Sequence, residues 1–193
     1  MFLFREPPDV AVRRFVAGQR GLPFSYSEVG ATRGGATAGY VADRYRVRLG
    51  EGEETFERAV AALRSWSMFD LGWACLIPDD APIERGVTVA VLARHLGLWS
   101  LNAARIVYVV EDSGSVERRG FAYGTLPGHA ARGEERFCVE WDRASDSVHY
   151  DVLAFSRPGH PLAWLGYPFV RRLQRRFARD SSAAMLAAAR GGP

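Results

Sequence analysis

Residues 116–155 read VERRGFAYGTLPGHAARGEERFCVEWDRASDSVHYDVLAF, and the rhythm of this stretch decides the fold. Three segments in it alternate in polarity: Val116–Leu126, Ala131–Trp141 and Ser147–Phe155. In the second, Phe137, Val139 and Trp141 share a face with Glu135; in the third, Val148, Tyr150 and Val152 oppose His149 and Asp151. A period of two is the pattern of a half-buried strand. The breaks carry turn chemistry, Pro127-Gly128 and then Asp142 to Asp146. Breaks so short leave no room for a helical crossover, so the strands pair antiparallel as a meander.

Upstream, the same pattern predicts Leu71–Ile77, Val87–Leu96 and Trp99–Val110 as strands, punctuated by Pro78-Asp79-Asp80, Gly97 and Asp112-Ser113-Gly114. Arg44–Leu49 adds a seventh, with Tyr45, Val47 and Leu49 on one side and Arg44, Arg46 and Arg48 on the other, ended by Gly50 and Gly52. From Glu53 to Phe69 the period changes to helical, with Phe56, Ala59, Val60, Leu63 and Trp66 at i, i+3, i+4 spacing and Glu53 and Glu54 near the positive end of the helix dipole. A shorter helix is expected over Asp9–Gln19, capped by Asp9 and apolar at Val10, Val12, Phe15 and Val16. Gly21 to Gly39 reads as an ordered loop. The last element starts near Pro161, kinks or restarts at Pro168, and carries Phe169, Leu173 and Phe177 every four residues before an alanine-rich end at Gly191-Gly192.

The expected class is therefore α+β: a curved antiparallel sheet of about seven strands wrapped around a long C-terminal helix, with an N-terminal helical and loop extension over residues 1–39 packed on a core of 40–190, all one domain. A sheet that curls more tightly than the helix can fill leaves a cavity between them.

Composition narrows the function classes. All 25 basic residues are arginine and the net charge is only +3, too little to argue for nucleic acid without a clustered patch. Two cysteines, Cys75 and Cys138, make no disulfide framework and suit a reducing, cytoplasmic setting. The N-terminus does not read as a signal peptide, and no window is apolar enough for a membrane span. The four histidines and two cysteines lack metal-ligand spacing, so neither metal nor cofactor is expected. There is no G-x-S-x-G elbow, and Gly50-Glu51-Gly52 before a helix lacks the lysine of a phosphate loop.

The order of elements resembles the helix-grip fold of the START-like (SRPBCC) superfamily, which implies an apolar ligand held between sheet and C-terminal helix. A second resemblance lies in the words of the sequence: Pro23-Phe24-Ser25-Tyr26 with Val29-Gly30-Ala31-Thr32, Gly39-Tyr40 with Asp43 and Leu49-Gly50, Gly124-Thr125-Leu126 with Gly133-Glu134-Glu135-Arg136-Phe137, and Phe155-Ser156-Arg157-Pro158 with Tyr167-Pro168 and Gln174-Arg175-Arg176-Phe177. Over residues 12 to 186 these look like the bacterial and plant family catalogued as domain of unknown function nineteen-ninety, a UPF-type family. That resemblance implies a fold unit and no particular chemistry.

The richest candidate site is Gly124 to Phe137. His129 at the rim, beside Glu134 or Glu135, would form a general base whose tautomer a carboxylate fixes; the plainer alternative is a structural turn histidine. Glu135 shares the inward face, where a carboxylate needs a partner, such as Arg157 or Arg136, or a raised pKa. His149 and Asp151 read as a solvated face. Tyr26, Tyr40, Trp66, Tyr123, Thr125, Glu134 and Arg157 are candidate ligand contacts, with Trp73, Phe121, Tyr150 and Trp164 as further aromatics of either pocket or core. Arg171, Arg172, Arg175 and Arg176 form a basic stripe, either the solvated side of the helix or an anion-binding surface. Three functions follow from these residues. The first is binding of a small apolar or amphipathic molecule. The second is a cyclase-, dehydratase- or hydrolase-like enzyme using His129 or Glu135, and the third an interaction module using the arginine stripe.

Overall fold

The structure is a computed structural model, and it describes residues 2–34, 39–158 and 167–191. Its frame is an eight-stranded antiparallel sheet built from β1 (Phe2–Leu3), β2 (Val41–Glu51), β3 (Ala74–Ile77), β4 (Thr88–His95), β5 (Leu98–Asp112), β6 (Val116–Thr125), β7 (Ala131–Asp142) and β8 (Ser147–Pro158). The order across the sheet is β2-β8-β7-β6-β5-β4-β3. Strands β3 to β8 run as the expected meander, and β2 adds antiparallel to β8. The strand β1 was not foreseen; it pairs through Phe2 and Leu3 with Ser100 and Trp99, on the part of β5 that reaches past β6.

Among the described residues, three α-helices join the sheet: α1 (Asp9–Gln19), α2 (Glu53–Arg64) and α3 (Tyr167–Ala189). The expected start of the last helix near Pro161, with His160 and Trp164, lies outside the described residues. Within them, Pro168 falls in the first turn of α3, where its missing N–H costs no helical bond. The α+β architecture, a curved open sheet with a long C-terminal helix against it, is the one the sequence implies.

Helices α2 and α3 share the inner face. One half of it is solid: Phe56, Ala59, Leu63, Phe121, Phe137, Val139, Trp141, Val152, Met185 and Ala189 form a continuous buried core. Phe69 stands at its centre, with ring centroids 5.6 Å from Phe137 and 5.2 Å from Phe177. The helix expected to reach Phe69 stops at Arg64, because Trp66 takes a left-handed conformation (φ 57°). That reversal seats the indole in the core, its Nε1–H donating to Ala81 O at 2.7 Å, and drops Ser67–Phe69 into a 3-10 turn. Strand β2 likewise runs beyond its expected end, bulging between Arg48 and Gly50 instead of breaking.

The outer face departs most from the sequence reading. Helix α1 packs there through Val12 and Val16 on Ala90, Leu92 and Leu101. Its first residue is Asp9, which lies inside the helix and pairs with Arg13 instead of capping, and Val10 points to solvent. Asp151, expected on a solvated surface, is fully buried: Arg44 and Arg136 close over it at 2.7 and 3.0 Å. Arg46 and Arg118 do the same for Glu140. Long arginine stems lie across the sheet and shield these carboxylates from water, a burial that strand alternation cannot report. Cys138 is buried on this face, and burial pushes its thiol up to about 12; Cys75 is exposed and also free.

Candidate functional site

Two neighbouring carboxylates on β7 face opposite ways, as strand alternation requires, and they do different work. Glu134 looks outward. Its Oε2 accepts hydrogen bonds from Tyr26 Oη and Gly30 N, each at 2.7 Å, and its Oε1 from Thr32 N at 3.0 Å and from the Thr32 hydroxyl. Thr32 Oγ1 lies a further 2.6 Å from Tyr108 Oη. Gly30 sits at φ 88°, a conformation that aims its N–H at the carboxylate and that a side chain would strain. Gly124, opposite Glu134 on β6, leaves the space the Tyr26 hydroxyl occupies; a Cβ there would lie 2.1 Å from it. Burial and the adjacent carboxylate push the Tyr26 phenol far up, so it stays a donor. Glu134 thus fastens the loop 25–33 to the sheet, with Tyr26 as one of the donors of that latch.

Glu135 looks inward, into a cavity of about 250 Å³ between the sheet and α3. Apolar walls come from Phe69, Trp73, Val91, Ala93 and Ala154 and, on α3, from Phe169, Leu173 and Phe177, the residues whose four-residue spacing marks the helix. Most of the exposed lining is apolar, and its polar centre is the pair Tyr123 and Glu135. Tyr123, directly across from Glu135 on β6, donates its hydroxyl to Glu135 Oε2 at 2.9 Å. Burial raises the Glu135 carboxyl to about 7, against the Tyr123 hydrogen bond and with the help of the Asp43 charge. The expected salt bridge is absent: Arg136 is held by Asp151, and Arg157 lies over the Tyr40 ring at 4.6 Å. Among the described residues, Tyr123 is the hydrogen-bond partner of the Glu135 carboxyl.

His129 also lines the cavity, yet the expected dyad does not form. Its Nδ1 lies 3.0 Å from Ala131 N and 3.1 Å from Ala131 O, so the loop's own backbone satisfies it. Burial pushes the imidazole down to about 4, leaving it neutral at physiological pH. Thr125 borders the cavity with its hydroxyl committed to Ser25 Oγ at 2.6 Å and to Gly133 N at 3.0 Å. Tyr40 donates to Glu28 at 2.6 Å, and Trp66 is core; with Arg157 they stand apart from the cavity. Trp73, which the sequence leaves between pocket and core, is a wall residue of the cavity.

Helix α3 is fastened over the cavity at both sides. Arg171 forms a bidentate pair with Asp43, with Nη2 to Oδ1 at 2.7 Å, and Gln174 Nε2 donates to Ser156 Oγ at 3.0 Å. At the other side, Trp73 Nε1–H donates to Asp180 at 3.0 Å and Arg176 covers the Trp73 ring at 4.3 Å. Much of the basic stripe is thereby neutralised within the chain; Arg172 and Arg175 remain exposed. Among the described residues no three histidine, cysteine, aspartate or glutamate side chains gather as a metal site, and no helix is long and apolar enough to cross a membrane.

A family model described as "Domain of unknown function (DUF1990)" matches residues 25–184. A UPF0548 protein of Dictyostelium discoideum is 38% identical over 97% of this chain and 95% of its own length. A UPF0548 protein of Deinococcus radiodurans is 42% identical over 98% of this chain and 99% of its own. In structure, a hypothetical protein from Helicobacter pylori superposes with a TM-score of 0.52 at 14% identity, covering 86% of this chain and 96% of that one, which speaks for the fold alone.

Proposed function

The chain belongs to the DUF1990 (UPF0548) family, and from that premise we propose that it binds a small amphipathic molecule in the cavity between the sheet and α3, oriented by Glu135 and Tyr123. One observation carries this reading: an apolar-walled space with a single inward carboxyl–phenol pair, which is the composition of a small-molecule site. A cavity of about 150 Å³ holds benzene, so one of about 250 Å³ holds roughly ten heavy atoms. The occupant has an aromatic or aliphatic body against Phe69, Trp73 and Phe177 and a polar head at Glu135. Two free cysteines suit a reducing compartment, and the cytoplasm is the proposed location.

Calorimetry with 2-phenylethanol, a neutral molecule of this size, tests the reading. The expected dissociation constant is about 0.1 mM, or about −5.5 kcal/mol, with the negative heat-capacity change of apolar burial. Ala154 lies opposite Glu135 on β8, so Ala154→Phe fills the space and is expected to remove the heat signal. Binding undiminished in that variant would place the site elsewhere.

A second reading rests on the same carboxyl. A group held near 7 in an apolar cavity is suited to move a proton at neutral pH, so Glu135, with Tyr123 as its donor, is the general acid or base of an enzymatic alternative. His129, tied to Ala131 through Nδ1 and lowered by burial, is the weaker base of the two.

A further inference from the structure

The cavity's charge is one-sided. The chain has 25 arginines, yet among the described residues that line the cavity there is none; the ionisable ones are Asp43, Tyr45, His95, Tyr123, His129, Glu134 and Glu135. Glu134 spends its carboxylate on the outer-face latch. Asp43 is paired with Arg171 of α3. Among the described residues, Glu135 is the lining carboxyl that no cation compensates, with one hydrogen bond, from Tyr123.

We propose that the occupant is a basic amine, an ammonium group on an apolar body of about ten heavy atoms, whose N–H donors take the Glu135 oxygens facing the cavity while Tyr123 holds the other side of the carboxylate. The proposal rests on the cavity-binding reading above. Its physical ground is compensation. A carboxylate in an apolar enclosure is disfavoured unless a charge of opposite sign and further donors accompany it, and among the described residues Glu135 has Tyr123 alone. A ligand that brings both converts the least favourable group in the cavity into a charge-assisted pair, which is about twice as strong as a neutral hydrogen bond. A carboxylic acid ligand would meet the Glu135 carboxyl with no cation beside it among the described residues, and is disfavoured. The other titratable groups around Glu135 permit this reading: Asp43 and Tyr45 from β2, His95 from β4, Tyr123 from β6, His129 from the β6–β7 turn and Tyr150 from β8, while Arg171 of α3 is paired with Asp43. Burial pushes the imidazoles of His95 and His129 down and the phenols of Tyr123 and Tyr150 up, so these four bring no charge to it near neutral pH.

The test compares 2-phenylethylamine with 2-phenylethanol, which share size and shape and differ in the head group. At pH 8 the amine is expected to bind at least tenfold more tightly. With the carboxyl at about 7, the ionised fraction falls about thirtyfold between pH 8 and 5.5, and the amine's affinity falls with it while the alcohol's does not follow. Glu135→Gln brings the amine down to the level of the alcohol and flattens its pH profile. If wild-type protein binds the two equally at both pH values, the amine proposal is overturned and the cavity reading stands. If neither binds, the cavity reading itself fails and takes the proposal with it. The wild-type pH series decides the matter even if the variant does not fold.

Discussion

Glu134→Leu is expected to lower stability by about 4 kcal/mol. The substitution leaves Tyr26 Oη, Gly30 N, Thr32 N and the Thr32 hydroxyl without their acceptor in a place water does not reach, since Glu134 is 2% exposed and Thr32 1%. Each stranded donor costs about 1–3 kcal/mol, and Thr32 retains Tyr108 as a second partner, which keeps the sum below the maximum. For a chain of this length the melting temperature should fall by roughly 8–16 °C. Limited proteolysis should cut first within 25–33, because that loop is what the carboxylate fastens. Tyr26→Phe removes one of the donors, and a double-mutant cycle with Glu134→Leu should give strongly non-additive effects. An unchanged melting temperature would mean that Tyr26 and Phe24 hold the loop through ring contacts alone.

The second large effect is electrostatic and concerns the other glutamate. Glu135 titrates near 4.5 when unfolded and at about 7 when buried. Between those values the unfolded chain gives up a proton that the folded chain keeps, so rising pH favours unfolding. The stability this carboxyl contributes is complete below about pH 4.5 and is lost through pH 7, a total of about 3 kcal/mol. His129 works in the opposite sense: its folded value is about 4 against 6.5, so its contribution is present above pH 6.5 and lost as pH falls towards 4. The clean quantity is therefore the difference between wild type and Glu135→Gln. That difference should move by about 2 kcal/mol in the variant's favour between pH 5.5 and pH 8, measured by urea unfolding. A difference that does not change with pH would mean that Glu135 is hydrated.

The separation between these two glutamates shows what the sequence reveals and what it conceals. Alternation along β7 assigns them to opposite faces and sends Glu135 inward with Phe137, Val139 and Trp141, as found. The spacing of Phe169, Leu173 and Phe177 likewise finds the wall that α3 presents to the cavity. Local periodicity reports which way a side chain points, and these two results need nothing more. Partnership is different, because it joins residues distant in sequence. Tyr26 meets Glu134 across 108 positions, and Arg171 meets Asp43 across 128. The words Pro23-Phe24-Ser25-Tyr26 and Val29-Gly30-Ala31-Thr32 were visible in the chain, but only the folded loop reveals that they serve one carboxylate. The same gap explains Asp151. Its polar face reads as solvated until Arg44 and Arg136 are seen to roof it. His129 was credited with a carboxylate partner because two glutamates follow it closely; the turn geometry gives its ring nitrogen to Ala131 instead.

Whether the space beneath α3 is a binding site is decided by a crystal structure grown with saturating 2-phenylethanol. Ligand density is expected between Phe69, Trp73 and Phe177, with the hydroxyl oxygen within about 3 Å of the Glu135 carboxyl. Contradiction would be a cavity closed by Leu173 and Phe177 turned inward, or a ligand bound on the outer face beside α1 with the space beneath α3 empty.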